Sequence, residues 1–522
     1  MRQILIFLTL CTIFCISVSF GDSPSDLPPG IIIAKSPDFQ KVYIGSPTIV
    51  KLSDGTYVAS NDWFGSGIAN DTNAIPAVTT VYSSKDQGKT WSKLCDIKGQ
   101  GWSNLFVNKN DLYLFGITHG NGPLVIRRSC DGGKTWTEPK DSQTGLLLEG
   151  HYHTAGCGIL FHQGKIFRAF EMTRTPNTWG NYEAMVGSVS VDADLLDATQ
   201  WTFTNPVPYD KKWGGVTFIE GNILLSPEGE LVNLLRNESQ SGTLGALLHC
   251  SDDGKQLSVR PDDVVIKNFI GGNTRFMIRY DQKSQYYWTL ACKTTDPVAF
   301  RNCLVLVRSK NLRDWEQRCI VLRHRNASNH AWQYVDWFFE GENDIAFISR
   351  TAWDGSHNAH DANYLTFHRI ENFRELTEKD DALWFSNQTK FETAAFSILG
   401  ENFSIREFKN DTVAFGNRNY VWKDIPVQYQ SSKETPVFFT QTFGGENPAI
   451  DVTAKKDAEL LLLTLSKVEL SGDWKLVQKD VLYYTDGEKT KMSIYSKPMK
   501  TGEKLTVPQS QWTGCILILK EK

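Results

Sequence analysis

Short apolar runs separated by turn residues recur through most of the chain. Residues 159–161 and 164–170 form one such pair, with the turn at Gly164, and residues 223–226 and 231–235 form another. Paired runs of this length, with glycine or proline between them, are typical of antiparallel hairpins. The pattern therefore predicts an all-β fold.

One motif, S-x-D-x-G-x-T-W, occurs twice in full, beginning at Ser84 and at Ser129. Degenerate copies begin at Ser190, Cys250 and Ser309 and are spaced about 60 residues apart. In such a motif the Asp side chain accepts hydrogen bonds from turn N–H groups, and the Trp packs under the hairpin. We therefore expect Asp86 and Asp131 to form turns and not to act as catalysts.

The even spacing indicates one four-stranded blade per repeat. The repeating region, residues 30–375, has room for six such units, with five or seven as alternatives. The sequence thus predicts a six-bladed β-propeller.

The pattern changes after residue 375. A charged stretch, residues 375–381, reads as a linker, and residues 385–522 alternate apolar and polar positions without the repeated motif. These features predict a separate C-terminal β-sandwich domain, whose simplest role is to support the propeller.

The first 21 residues have a basic start, a long apolar run and a small-residue cleavage site, which together predict a secretory signal peptide. The alternative is a membrane anchor. No other stretch is long and apolar enough to cross a bilayer, so the mature protein is expected to be secreted or periplasmic. The net charge of −4, without basic blocks, argues against nucleic acid as a partner.

The densest polar cluster is His357, His360, Asp361 and Tyr364, preceded by Arg350. It suits a catalytic or substrate-binding loop, and the alternative is a hydrogen-bonded loop that closes the last blade. A metal site at the two histidines would need a helix, and none is expected there. The chain also lacks a CxxC pair, so neither a metal nor a cofactor is predicted.

A second cluster combines His153 with Arg168 and Glu171 on a predicted hairpin. A carboxylate beside an Arg and a His suits acid/base chemistry or an anion clamp, and the alternative is a buried ion pair.

Two further groups are Trp213 with Glu220, and Gln333 with Asp336. Strand arginines, including Arg127 and Arg275, are costly to bury unless they are paired. Several of them converging on one channel would make a site for an anionic sugar.

The two full motifs resemble the sialidase-like superfamily of Asp-box (BNR) repeat proteins. The strand, turn and strand pattern of residues 45–50 and 54–59 resembles the first blade of the same superfamily. The resemblance covers about two thirds of the chain and implies a secreted, carbohydrate-active propeller. True sialidases carry an Arg-Ile-Pro signature in the first blade, whereas this chain has Tyr43-Ile44-Gly45-Ser46-Pro47. The missing arginine argues against sialic acid as the substrate.

The leading prediction is a glycoside hydrolase acting on an acidic or substituted polysaccharide or its oligosaccharides. The catalytic candidates are Glu171, Glu220, Asp336, His153, His360 and Asp361. The substrate-binding candidates are Arg127, Arg168, Arg275, Arg350, Trp213, Gln333, His357 and Tyr364. A polysaccharide lyase is the first alternative, with His153 or His360 as base, Tyr152 or Tyr364, and an arginine that neutralises the uronate. The second is a non-catalytic glycan-binding propeller.

Overall fold

The computed structural model describes residues 27–68, 77–176, 178–295, 299–324, 326–378, 388–401, 403–406, 408–415, 418–431, 437–440, 447–470, 472–509 and 516–519. The predicted signal peptide lies outside the described residues. Within them every long element is a strand, and the only helical turns are the 3₁₀ segments Ala198–Gln200, Lys211–Trp213 and Val427–Tyr429. The all-β prediction is therefore confirmed. No helix in these ranges is long and apolar enough to cross a membrane.

The chain forms two compact units, Met1–Trp384 and Phe385–Lys522. In the first unit, strand β1 (Ile31–Lys35) precedes three antiparallel sheets. The first sheet contains β2 (Tyr43–Ile44), β3 (Thr48–Lys51), β4 (Tyr57–Phe64), β5 (Val78–Ser84) and β6 (Ser92–Lys98). The second contains β7 (Gly101–Asn108), β8 (Asp111–Ile117), β9 (Leu124–Ser129) and β10 (Leu146–Leu148). The third contains β11 (Tyr152–His153), β12 (Ile159–His162), β13 (Lys165–Thr173), β14 (Tyr182–Ser190), β15 (Thr202–Phe203) and β16 (Val207–Pro208).

Three more antiparallel sheets complete the first unit. The fourth contains β17 (Thr217–Leu225), β18 (Leu231–Glu238), β19 (Leu244–Cys250), β20 (Leu257–Ser258) and β21 (Val265–Lys267). The fifth contains β22 (Met277–Asp281), β23 (Tyr286–Cys292), β24 (Cys303–Ser309) and β25 (Glu316–Arg323). The sixth contains β26 (Ala331–Glu340), β27 (Asp344–Ala352) and β28 (Tyr364–Ile370), and β1 pairs with β28 as its fourth strand.

Successive sheets pack on one another, and the sixth packs on the first, where β26 contacts β3. Apolar clusters fill the junctions because each sheet has an apolar face to bury. Members from neighbouring sheets include Val58 with Leu114, Phe115 with Phe170, Phe167 with Phe218, Leu234 with Tyr287, and Tyr57 with Phe367. Between the fifth and sixth sheets, Nε1 of Trp337 donates to the Met277 carbonyl at 2.8 Å. The six sheets therefore form a closed ring.

The repeated motif forms tight turns. Asp86 accepts hydrogen bonds from the backbone N of Thr90 at 2.9 Å and from its hydroxyl at 2.6 Å, and Asp131 accepts the equivalent bonds from Thr135 at 3.0 and 2.7 Å. In the degenerate copy that begins at Cys250, the motif alignment places Asp252 at the acceptor position. The structure instead has Asp253, one residue later, as the acceptor of the turn. Loss of the Thr and Trp had left that register undefined in the sequence.

The second unit contains two antiparallel sheets with a shared apolar core that includes Phe396, Ile450, Leu460 and Met499. The smaller sheet contains β29 (Gln388–Glu392), β30 (Phe396–Glu401), β35 (Asn447–Ala454) and β39 (Lys504–Gln509). The larger contains β31 (Phe403–Arg406), β32 (Val413–Phe415), β33 (Arg418–Lys423), β34 (Val437–Thr440), β36 (Ala458–Leu465), β37 (Lys475–Tyr484), β38 (Lys491–Met499) and β40 (Ile516–Leu519).

Asp336 links three sheets where the ring closes. Its buried carboxylate accepts the backbone N–H of Ile49 in β3 at 2.9 Å and that of Trp337 in β26 at 2.7 Å. The Arg279 guanidinium in β22 lies 3.4 Å from it. We therefore expect Asp336 to stabilise the ring.

Replacing Asp336 by Ala should lower the free energy of unfolding by about 2–4 kcal/mol, because two buried N–H groups lose their acceptor. Urea unfolding of the purified chain measures the change. Asp336→Asn keeps one acceptor oxygen and serves as the control, with a smaller expected loss. Equal stability of Asp336→Ala and the parent would show that the link is unimportant.

Candidate functional site

A cavity of about 400 Å³ opens where the six sheets of the first unit meet. Every sheet contributes at least one side chain or turn to its wall. The lining residues are Ser46, Phe64, Trp102, Gly120, Asn121, His153, Trp179, Tyr182, Glu220, Arg236, Glu238, Arg301, Tyr334, Arg350 and His360. Charged and aromatic groups dominate this wall, as expected for a site that binds a polar ligand.

Three inner strands deliver their cavity residues through β-bulges. The pairing register shifts in β7, β17 and β26, and the bulged residues are Trp102, Glu220 and Tyr334, with φ of 48, 59 and 53°. A non-glycine residue with positive φ is strained, and a bulge re-aims its side chain. Strain of this kind concentrates at functional sites.

Arg275 holds the Tyr334 bulge in place through the backbone carbonyl of Tyr334. The Arg275 guanidinium is buried and donates to the carbonyls of Tyr334, Gly156 and Pro47, the last at 3.1 Å. Tyr334 lies in the sixth sheet, whereas Gly156 and Pro47 lie in connections between strands of the third and first sheets, respectively. A Cβ at position 156 would overlap the guanidinium, so only glycine fits there.

Glu220 forms a buried ion pair with Arg236. The guanidinium donates to Glu220 Oε2 and to Glu238 Oε2, each at 2.7 Å. Burial alone would raise the pKa of Glu220, but the charges of Arg236 and then His153 hold that pKa below its ordinary value. Glu220 is therefore a carboxylate near neutral pH.

Arg301 and Arg350 bring positive charge into the cavity, and neither forms an ion pair with a described carboxylate. Among the described residues, no carboxylate lies within 4.0 Å of either guanidinium. Arg301 donates to the Gln333 amide oxygen, and Arg350 donates to the His360 carbonyl at 2.5 Å. Burial lowers the pKa of Arg350 to about 10, which leaves it a cation near neutral pH.

Aromatic faces hold Arg350 in place. Its guanidinium carbon lies 4.7 Å from the ring centres of both Phe64 and Tyr334. Cation–π contacts favour a weakly hydrated cation, so the two rings orient the group without neutralising it. A ligand anion would therefore meet a full positive charge.

His153 is oriented by Glu171. Its Nδ1 lies 3.0 Å from Glu171 Oε2, and because a carboxylate only accepts, Nδ1 carries the hydrogen. Glu171 is buried and also accepts the Gly221 N–H at 3.3 Å. A histidine whose Nδ1 is held in this way has Nε2 available as an acid or base.

His360 and Asp361 form part of a rigid loop. Asp361 accepts from His360 at 2.8 Å, from His357 at 2.7 Å and from Asn358 at 2.8 Å. Burial, and then the charge of Arg350, lowers the pKa of His360 to about 4. His360 is thus neutral near pH 7, while Asp361 is ionised because its hydrogen bonds hold its pKa far below the ordinary value.

The structure brings four of the predicted residues together on the cavity wall, namely Glu220, His153, His360 and Arg350. Glu171, Gln333 and Asp361 lie directly behind them as hydrogen-bond partners, of His153 in the first case and of His360 in the other two.

The other predicted residues lie elsewhere in the first unit. Arg127, Arg168 and Arg275 are buried and donate mainly to backbone carbonyls. Asp336 links sheets, and Trp213 belongs to an apolar core. His357 stacks on Tyr43 with ring centres 5.5 Å apart. Tyr364 packs edge-on against Phe39.

Sequence reasoning did not single out Tyr334, Arg236, Arg301, Trp102 or Trp179 as site residues. Tyr334 lies between Gln333 and Asp336, and Arg236 is one of several strand arginines, but no local pattern distinguishes either from its neighbours. Arg301 and Trp179 lie in loops without a motif, so only a fold that brings the loops together could identify them.

Asp62 lies beneath the cavity wall, close to the backbone of Ser46 and Trp102. It is buried in β4 and accepts the Thr79 hydroxyl at 2.5 Å. Burial raises the pKa of Asp62 to about 7, against the opposing effect of that hydrogen bond. No cluster of three His, Cys, Asp or Glu side chains able to hold a metal ion occurs in the described parts of the chain.

No protein-family model matches the chain, and no curated protein matches its sequence. Among solved structures it is similar to a Hadza microbial sialidase, with a TM-score of 0.47 and 13% identity over 66% of this chain and 68% of that one. It is similar to a mutant Trypanosoma rangeli sialidase displaying trans-sialidase activity, with a TM-score of 0.46 and 12% identity over 94% and 95%. It is also similar to an α-L-arabinanase from Penicillium chrysogenum, with a TM-score of 0.41 and 16% identity over 66% and 98%. The roles of the site residues are therefore assigned from the cavity itself.

The raised pKa of Asp62 predicts a pH-dependent stability. Its pKa rises from 3.8 in the unfolded chain to about 7 in the folded one, so its contribution is complete below pH 3.8 and is lost as pH rises through about 7. Asp62→Asn cannot ionise and should gain stability over the parent across that interval, by on the order of a few kcal/mol. Urea unfolding from acid to neutral pH measures the difference, and a difference that stays constant with pH would contradict the assignment.

Proposed function

We propose that the six sheets are the blades of a six-bladed β-propeller in a secreted protein, with residues 1–21 as signal peptide and residues 385–522 as a β-sandwich. The closed ring, in which the first strand completes the last sheet, supports the propeller. The shared core of the two C-terminal sheets supports the sandwich.

We propose that the protein is a glycoside hydrolase that acts on an acidic glycan. One observation carries this proposal: two cations that form no ion pair among the described residues, Arg301 and Arg350, share a cavity with the strained residues Glu220 and Tyr334. A substrate carboxylate supplies the missing anion, since planar guanidinium groups suit carboxylates best.

In the proposed reaction Tyr334 is the nucleophile. Its oxygen attacks the anomeric carbon as the bond to the leaving oxygen breaks, and its proton passes to Glu220. Tyrosine nucleophiles backed by a carboxylate are a known exception to the paired-carboxylate rule for glycosidases. Water then attacks the glycosyl-tyrosine, which returns the proton and the phenol to their starting states.

His153 is the proposed proton donor to the leaving oxygen. Its Nε2 gives up the proton while Glu171 stabilises the ring through Nδ1. In the second step the same nitrogen takes a proton from the attacking water, so every proton is balanced.

The His153–Glu171 pair also favours a second candidate, a polysaccharide lyase. There His153 would remove the proton next to the uronate carboxylate, Arg301 and Arg350 would neutralise that carboxylate, and Tyr334 would protonate the leaving oxygen. This reaction needs no water and leaves a double bond in the product.

Incubation with acidic plant, algal and animal glycans in ¹⁸O-labelled water separates the two reactions. A hydrolase incorporates ¹⁸O into the released sugar without a new ultraviolet absorbance. A lyase produces the absorbance of an unsaturated uronate without label. Binding without either product would support the non-catalytic propeller instead.

Tyr334→Phe should reduce turnover at least about 10³-fold, because the nucleophilic oxygen is lost while the ring that packs on Arg350 remains. Initial rates on the cleaved glycan measure the loss. Tyr280→Phe, at a partly exposed position in β22 outside the cavity, is the matched control and should retain full rate. A Tyr334→Phe enzyme with near-parental rate would exclude Tyr334 as nucleophile.

Arg301→Gln should weaken binding of an acidic glycan about 30-fold or more and leave binding of its reduced, neutral analogue unchanged. Isothermal titration calorimetry measures both ligands. Arg350→Gln should behave alike, and Arg260→Gln, whose exposed guanidinium pairs with Glu230, is the control. Equal weakening for charged and neutral ligands would contradict a carboxylate-binding role.

A further inference from the structure

Trp179 is the most exposed aromatic residue among the described residues on the cavity wall. Half of its surface is accessible, at 51%, although it lies on the cavity. Large exposed aromatic side chains on a cavity commonly contact a ligand, since leaving them in water is unfavourable. Val216 is also exposed, at 56%, and it is the residue nearest to the open side of Gly180, which follows Trp179 in the chain.

The ring of Trp179 is held in place before any ligand arrives. Tyr182 packs against it edge-to-face with ring centres 5.6 Å apart, and the Arg236 guanidinium carbon lies 5.8 Å from its centre. The loop that carries it is closed by Arg174 donating to Glu183 at 2.6 Å and by Asn181 donating to Thr175 at 3.0 Å. Such preorganisation lowers the entropy cost of binding.

Charge is distributed unevenly around the cavity. Arg301 and Arg350 belong to the fifth and sixth sheets, whereas Trp179 and Glu238 belong to the third and fourth. Glu238 is partly exposed and can accept hydrogen bonds from sugar hydroxyls. It shares the single cation Arg236 with Glu220, so these three groups carry one net negative charge, which repels a second anion. The arginine side therefore suits an acidic ring, and the Trp179 side suits a neutral one.

We infer that Trp179 and Glu238 form a second sugar subsite, which takes a neutral pyranose linked to the acidic sugar held by Arg301 and Arg350. This inference rests on the proposed function and narrows its substrate to an acidic sugar joined to a neutral one. The apolar face of the pyranose stacks on the indole, and its hydroxyls bond to the Glu238 carboxylate.

The test compares one ring with two. Glucuronate, galacturonate and N-acetylneuraminate are titrated into the full chain carrying Tyr334→Phe, each as the free sugar and as its disaccharide with galactose. The galactose should raise affinity about tenfold for the acid that binds. Trp179→Ala should abolish that gain without changing affinity for the free acid, and Trp179→Phe should retain most of it.

Phe161→Ala removes an exposed aromatic ring from the same sheet outside the cavity, and it should leave the gain unchanged. A full gain in Trp179→Ala would overturn the second subsite, and so would acid binding without any gain from galactose. Both of those results leave the proposed acidic-glycan site intact. If the chain carrying only Tyr334→Phe binds none of the six sugars, this inference is overturned together with the acid recognition on which it rests.

A second comparison tests whether the second subsite prefers a neutral ring to an acidic one. Digalacturonate should bind the parent more weakly than galacturonate linked to galactose, and Glu238→Gln should reduce that preference up to about fivefold. A preference unchanged by Glu238→Gln would show that Glu238 does not select the second ring.

Discussion

The buried guanidinium of Arg275 is the contact on which the centre of the ring depends. Where the first, third and sixth sheets converge, three backbone carbonyls, one in a strand and two in connections between strands, meet at the Arg275 side chain. An unpaired buried carbonyl is costly. One planar group with five donors satisfies all three, on Pro47, Gly156 and Tyr334. The carbonyl dipoles in turn stabilise a charge that has no carboxylate partner among the described residues.

The site follows from this arrangement. With its carbonyl held by Arg275, Tyr334 keeps a positive φ and directs its ring towards Arg350. Glu220 reaches the same cavity through an equivalent bulge in β17 and is kept ionised by Arg236. In the proposed function, a ligand carboxylate balances the positive charge of Arg301 and Arg350, neither of which forms an ion pair among the described residues.

Neighbouring residues in β26 illustrate how far sequence reasoning reaches. The sequence analysis singled out Gln333 and Asp336 and not Tyr334, although a regular strand, with its period of two, would place Tyr334 and Asp336 on the same face. The bulge between Gln333 and Asp336 breaks that period, so Tyr334 enters the cavity while Asp336 turns towards Ile49. The predicted residues on the cavity wall reach it in different ways: His153 and Arg350 stand near strand ends, His360 on a loop, and Glu220 at the bulge in β17.

The sequence by itself determined the features that arise from local interactions. The strands follow from apolar runs between turn residues, and the Asp86 and Asp131 turns follow from hydrogen bonds within a few residues. Only the tertiary structure decided which side chains share the cavity, because Glu220, Arg301, Tyr334 and Trp179 lie on different sheets and meet only when the ring closes. The β-bulges that aim two of them depend on pairing with a partner strand, and no local pattern encodes that pairing.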